Sequence, residues 1–306
     1  MKRLLFFVSM QCFFVSNFYS QDTINVLYDK NWKEVKTREE AAYYRIAFKN
    51  EEGKWEAYDY FMSGVLQMIG AYSDKKMTTK EGSFVFFYEN GNKSEESFYS
   101  NGKLNGLLTA FYDNGNVKRK AIYVDGKKNG ESSTWSEKGV KISEGLFVNG
   151  FEEGVWTIYH ENGKKKALGN ITLGKLDGYW IYWFNNDSVQ GKGKFVIDKK
   201  DSIWVHYNEF GNLTEIDSFV DRELAGARGF HYNGKLSYYG NYSSGKKTGA
   251  WHFFNDKGEL IFVGNFVKGK KDGEWIRYFP DGKVMKIFYK EDNAMNKDLG
   301  SVMIDE

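Results

Sequence analysis

The stretch GNFVKGKKDGEWIRYFPDG, residues 264–282, decides the fold because its landmarks recur at a fixed spacing through the chain. Gly273 opens a unit. Stepping back 24 residues reaches Gly249, one step of 23 reaches Gly226, and steps of 24 then reach Ser202, Gly178, Gly154, Gly130, Gly106 and Gly82. Nine residues into the units stand Gly91, Gly115, Gly139, Gly163, Gly211, Gly258 and Gly282, with Gly234 one place early and Asp187 departing. A third glycine follows at Gly102, Gly126, Gly150, Gly174, Gly245 and Gly269. A period of this length marks a repeat architecture in which each copy is one supersecondary unit.

Between the glycines lie short aromatic runs, too short for helices and rich in strand formers. Two residues into the units stand Phe84, Leu108, Trp156, Trp180, Trp204, Trp251 and Trp275, while Ser132 and Arg228 replace the tryptophan in two copies. Five residues in stand Phe87, Phe111, Trp135, Tyr159, Trp183, Tyr207, Phe254 and Tyr278. Alternate residues of a strand face opposite sides, so these two sets put aromatic ladders on both faces. On the way back, Tyr99, Tyr123, Phe147, Ile171, Phe195, Phe219, Tyr242 and Phe266 recur, and Gly145, Gly169, Gly193, Gly240 and Gly264 precede five of them by two residues. Such a glycine leaves room for a neighbouring ring to cover the backbone. The dipeptides Asn90-Gly91, Asn114-Gly115, Asn162-Gly163, Asn233-Gly234 and Asp281-Gly282 suit hairpin turns with positive φ at both central residues. The expected fold is all-β: an elongated antiparallel β-hairpin repeat array, an open meander sheet of solenoid-like character, with about nine units of 24 residues. Two strands per unit at 4.8 Å spacing give a length of roughly 85–90 Å.

Composition agrees with this pattern. The 306 residues include 33 Gly, one Pro and 18% aromatic residues, so glycine punctuates strands rather than linkers. Residues 1–20 read as a signal peptide, with Lys2 and Arg3 before the apolar run Leu4-Leu5-Phe6-Phe7-Val8. Cleavage is expected after Ser20. The chain carries 43 basic and 41 acidic residues, and Lys2 and Arg3 are the whole excess. The remainder is balanced and offers no global attraction for nucleic acid. Cys12, the one cysteine, also lies in the leader, which suits an oxidising compartment and leaves no thiol chemistry. No later stretch has the length of an integral membrane span. The expected divisions are a signal peptide 1–20, an N-terminal cap 21–81, a repeat array 82–296 and a tail 297–306. The cap contains one degenerate unit at Gly53, Trp55, Tyr58, Ser63-Gly64, Gly70 and Tyr72.

The order Gly264, Phe266, Gly269-Lys270, Gly273, Trp275, Tyr278, Asp281-Gly282 resembles the MORN-variant repeat, and Gly145–Gly163, Gly169–Trp183 and Gly240–Gly258 follow it closely. The resemblance covers residues 82–296. It implies a β-rich interaction module; bacterial relatives are often called antitoxin-like, while eukaryotic MORN proteins are linked to membranes and scaffolding. The region from Tyr43-Tyr44-Arg45-Ile46 through the degenerate unit resembles the N-terminal part of cell-envelope proteins bearing such repeats.

Catalytic patterns do not emerge. His160, His206, His231 and His252 occupy different positions in their units, and no metal, phosphate-loop or nucleophile motif is present. No enzyme activity and no cofactor are therefore expected. Charge is ordered instead. Lys103, Lys127, Lys175, Lys199, Lys246 and Lys270 follow the third turn, while Glu89, Asp113, Glu137, Glu161, Glu209 and Asp256 precede the second. These rows belong to opposite sheet edges and either keep the array soluble or contact a partner. The lysine edge suits anionic lipid or a polyanionic envelope polymer. Trp156, Trp180, Trp204, Trp251 and Trp275 either pack within the sheet or present a protein-docking face. The expectation is an extracytoplasmic, secreted or envelope-associated repeat scaffold that binds another protein of unknown identity. An envelope-binding module acting through the lysine edge, an antitoxin-like component and a binder of extended peptide at an open strand edge are the alternatives.

Overall fold

The structure, a computed structural model, describes residues 23–295. The leader 1–20 and the tail 297–306 lie outside the described residues. Twenty-five strands account for the fold, and no helix occurs among the described residues, hence none long and apolar enough to cross a membrane. From Lys127–Trp135 to Val284–Lys290 each strand pairs antiparallel with the next one in the chain, so the hairpin-repeat expectation holds. The chain divides into two units. The first runs to Asn116 and includes Val124–Gly126; the second comprises Val117–Tyr123 and everything from Lys127 onward.

In the first unit, Ile24–Tyr28 pairs with both Glu34–Val35 and Tyr43–Lys49, and the meander continues through Trp55–Phe61, Leu66–Tyr72, Gly82–Phe87 and Lys93–Ser100. Trp55, Met68, Tyr72 and Phe84 bury themselves around Ala47 and Ala57, residues small enough to let them meet. One ion pair shares this core. Arg45 donates from Nε and Nη2 to the two carboxylate oxygens of Asp59 at 2.6 and 2.7 Å, and its guanidinium lies within 6 Å of the Tyr28, Trp32 and Tyr72 rings. Burial works against the charge, but the bidentate bond holds Arg45 above its ordinary pKa.

In the second unit each repeat sends out a strand such as Lys175–Trp183 and returns through one such as Val189–Val196. The glycine that opens a repeat sits at a register shift, where the outgoing strand carries extra residues opposite the preceding return strand. Extra residues force a left-handed backbone, which glycine adopts without penalty. Gly154, Gly178, Gly249 and Gly273 have φ between 65° and 92°, and Ser202, the exception in sequence, is held at φ 58° all the same.

Turn types exchange places relative to the sequence expectation. Positive φ at both central residues belongs to the lysine-side turns, among them Asn101-Gly102, Asn149-Gly150 and Ser244-Gly245. At the opposite turns only the glycine is left-handed: Gly163 N–H donates to His160 O, and His160 N–H donates to Lys164 O, closing a wider loop. The asparagine before that glycine has another task. Asn162 Oδ1 accepts from Lys164 N–H, and its Nδ2 donates to the Asn185 carbonyl of the next turn at 2.8 Å. Asn186 and Asn233 repeat this reach to Glu209 and Asp256.

The return-strand glycines stand under tryptophan rings, as their spacing suggested. A Cβ added to Gly145, Gly169, Gly193, Gly240 or Gly264 would come within 2.1–2.3 Å of Trp156, Trp180, Trp204, Trp251 or Trp275, eleven residues further on. Gly70 bears the same relation to Phe84 in the first unit. Where the following ring is missing the glycine is missing too: Ser97 precedes Leu108, Ala121 precedes Ser132, and Asp217 pairs with Ala227. The last return strand has Ile287 at this place, and no tryptophan follows it. Four of the indoles also find an acceptor. Trp180, Trp204, Trp251 and Trp275 donate from Nε1 to the carbonyls of Asn170, Lys194, Asn241 and Asn265 at 2.9–3.1 Å, next to the register shift that frees those oxygens. The core of the array is this one-sided column of rings on backbone.

Candidate interaction surface

The structure separates what packs from what is presented. The five tryptophans singled out by sequence are only 0–7% exposed, so intra-sheet packing accounts for them and they offer little surface to a partner. Return-strand rings meet them edge-on, as Phe195 does with Trp204 at 4.8 Å and Phe266 with Trp275 at 5.0 Å. A second column on the same face went unread in the sequence. Tyr182, His206 and Phe253 lie two residues beyond a tryptophan and stack beside it at 6.0–6.3 Å, as simple strand alternation requires.

Each lysine edge carries two kinds of lysine. Lys103, Lys127, Lys175, Lys199, Lys246 and Lys270 are exposed. The next lysine along behaves differently: Lys200, Lys247 and Lys271 place Nζ 4.2–5.0 Å from the centroids of Trp204, Trp251 and Trp275. Burial, and then the Lys271 charge, push the Lys247 ammonium below its ordinary pKa. The repeated Lys-Lys pair was the available signal, since only one of two adjacent strand residues can face the rings. Acidic side chains are interleaved along the same edges. Glu81 and Glu153 accept from the N–H groups of Asn101 and Leu173, and Asp198 from that of Leu176, so neither edge is uniformly positive. At the opposite edge Glu89, Asp113, Glu137, Glu161, Glu209 and Asp256 are all exposed.

The face away from the tryptophans is presented. Val155, Tyr179 and Ile203 directly precede Trp156, Trp180 and Trp204 and therefore point outward, Tyr179 being 77% exposed. Phe210 and Tyr232, in neighbouring turns, are 78% and 71% exposed and touch edge-on at 6.2 Å. Most other turns at that edge carry polar residues in those two places, so this pair is out of pattern.

Tyr232 belongs to the shortened repeat, and the structure locates the deletion. The outgoing strand Glu223–Phe230 has 8 residues where its neighbours Lys199–Tyr207 and Lys246–Phe254 have 9. Ala227, not Arg228, takes the tryptophan's place: it is buried and pairs with Asp217 and Gly240. Arg228 turns to the presented face because the missing residue lies upstream of it. The same shift makes His231 equivalent to His160, correcting the expectation that the histidines occupy different positions; both use Nε2 to bond the carbonyl of the residue 23 places ahead. On the column side, the gap left by the missing ring is bordered by His206 against Asp217 at 3.2 Å and by Tyr238 donating to Glu215 at 2.6 Å. Among the described residues no three of His, Cys, Asp and Glu gather as metal ligands.

Four segments match the family model described as MORN repeat variant: residues 80–101, 104–125, 152–171 and 271–291. These four segments are MORN-variant repeats. The copies that open at Gly130, Gly178, Ser202, Gly226 and Gly249 lie outside the matched segments. No curated protein matches the chain. Among solved structures it is similar to one titled "Crystal Structure of TcdB2-TccC3-Cdc42", at 12% identity over 88% of this chain and 20% of that one, with a TM-score of 0.18. The chain thus spans about a fifth of that protein's length, and a likeness at this score carries no argument.

Proposed function

We propose that this MORN-variant chain is a non-enzymatic, extracytoplasmic scaffold that binds another protein through its presented face and the adjoining turn aromatics. The observation that carries the reading is the division of aromatic residues. Tryptophans that stabilise the array are buried, while Tyr179, Phe210 and Tyr232 are left more than 70% exposed. Exposed rings on a rigid sheet are the usual anchors of a protein interface, since they bury large area with little loss of side-chain freedom. Export is supported by the basic and apolar pattern of residues 1–20. The non-enzymatic part of the reading is supported by three of the histidines: His160 and His231 bond the carbonyls of Trp183 and Phe254 at strand ends, and His206 an aspartate. The antitoxin-like role implied by the resemblance has no observation in its favour.

A photo-crosslinking residue placed at Tyr179, Phe210 or Tyr232 in the producing cell tests this directly. The expected result is one discrete protein adduct shared by the three positions and absent when the same residue replaces Lys127 or Lys175. Adducts from the lysine positions alone would overturn it. A second reading, binding to anionic lipid, is favoured by the exposure of all six periodic lysines but opposed by the acids interleaved with them. Co-sedimentation with phosphatidylglycerol vesicles that survives reversal of those six charges would exclude it.

A further inference from the structure

The repeat that breaks the period also opens a cavity. In regular repeats the opening glycine is a left-handed bulge residue; with one residue deleted, Gly226 loses its positive φ and becomes an ordinary strand position. It then stands in an outward row, Ile203–Ser218–Gly226–Asn241, as the one member without a side chain. The adjacent row, Ile216–Arg228–Tyr239, forms the wall. The result is a cavity of about 240 Å³ with a glycine floor, apolar sides and polar groups converging from Arg228, Asn241 and Ser218.

The charge in this cavity is uncompensated. Across the sheet Arg228 faces Ile216 and Tyr239, and the diagonal neighbours Thr214, Ser218, Ser237 and Asn241 are all neutral. Among the described residues Arg228 makes no ion pair, whereas Lys286, further along the same presented row, is matched by Glu274 at 3.3 Å. The Asn241 carboxamide has no hydrogen-bond partner among the described residues either, and Ser218 Oγ already donates to Gly226 O at 3.3 Å. A guanidinium and a carboxamide beside a bare backbone are the donors that a carboxylate takes up.

We propose that this cavity receives the carboxylate of an aspartate or glutamate on the partner protein, with an apolar neighbour of that residue against Ile203, Ile216 and Tyr239. The proposal rests on the scaffold reading and names the chemistry of the partner. Regular repeats supply the rigid sheet, and the irregular repeat supplies recognition.

The test titrates the isotope-labelled full chain with the blocked dipeptide N-acetyl-Leu-Asp-N-methylamide and follows the Arg228 Nε–H and the amides of Gly226 and Gly240 by NMR. Saturable shifts are expected, weakened at least tenfold in Arg228→Gln and in the asparagine analogue of the dipeptide. Gly226→Ala, whose Cβ would come 3.0 Å from Ser218 Oγ, narrows the cavity and should weaken binding while leaving the spectrum of the remaining repeats intact. No saturable shift, or equal shifts in Arg228→Gln, overturns the proposal. Crosslinking at Tyr179, Phe210 and Tyr232 judges the scaffold reading separately, so the two failures are distinguishable.

Discussion

Gly264 and Trp275 show at the smallest scale how the column is held, because neither residue is replaceable alone. A methyl on Gly264 would sit 2.1 Å from the indole, a distance no real contact reaches, so Gly264→Ala must displace the ring or the backbone. Overpacking of this kind costs about 1–3 kcal/mol or more, and Trp275→Leu costs a similar amount through lost burial and the lost bond to Asn265. The two changes should not add: chemical denaturation of the double variant should recover at least 1 kcal/mol (about half the overpacking cost) relative to the sum. Ser202 tests the opposite case. It occupies φ 58°, where a side chain costs about 1 kcal/mol, so Ser202→Gly should raise the denaturation midpoint. The glycine–ring relation was legible in the sequence because both partners are rare residue types at constant spacing. The lysines over the rings were not, since adjacent lysines differ only in which way the strand turns them.

Hairpin turns and register shifts, the next scale up, explain the rest of the successes and failures of sequence reading. The strands from Gly82 onward followed from the period, but the turn types did not. An Asn-Gly dipeptide suits a tight two-residue turn and a wider turn with one left-handed glycine equally well, and the choice is set by strand register. The wider turn frees the asparagine side chain to reach the next repeat, which makes Asn162 a link between hairpins rather than a conformational specialist. Asn162→Ala should therefore lower stability by about 1 kcal/mol through two exposed hydrogen bonds, whereas Asn149→Gly, at a turn where only backbone conformation is required, should change it little. Thermal unfolding of both variants checks the contrast. The site at Gly226 escaped the sequence for a related reason. A count of residues shows that one is missing, but only the pairing of Asp217 with Ala227 shows where.

For the molecule as a whole, two properties follow from a sheet stabilised repeat by repeat. The first is alkaline sensitivity. Burial raises the phenol pKa values of Tyr58, Tyr72, Tyr182 and Tyr242, and burial with the Glu144 bond pushes Tyr159 up to about 12. The folded chain keeps these protons where the unfolded chain loses them, so their contribution is complete below the ordinary tyrosine value of 10.0 and is lost as pH rises through the folded values. Lys80, Lys128 and Lys247, lowered by burial, act with the opposite sign and offset a part. Stability should fall above about pH 10, and tyrosinate absorbance should show folded midpoints displaced upward. The second property is uneven local stability, since each repeat is held chiefly by its own ring and its neighbours. Amide-resolved hydrogen exchange measures this most directly. Amides paired across Gly169–Trp180 and Gly264–Trp275 should be the most protected, and those across Asp217–Ala227, where the column has no ring, should exchange at least about tenfold faster. Flat protection along the repeats, or a maximum at Asp217–Ala227, would contradict a fold built from rings laid on glycine.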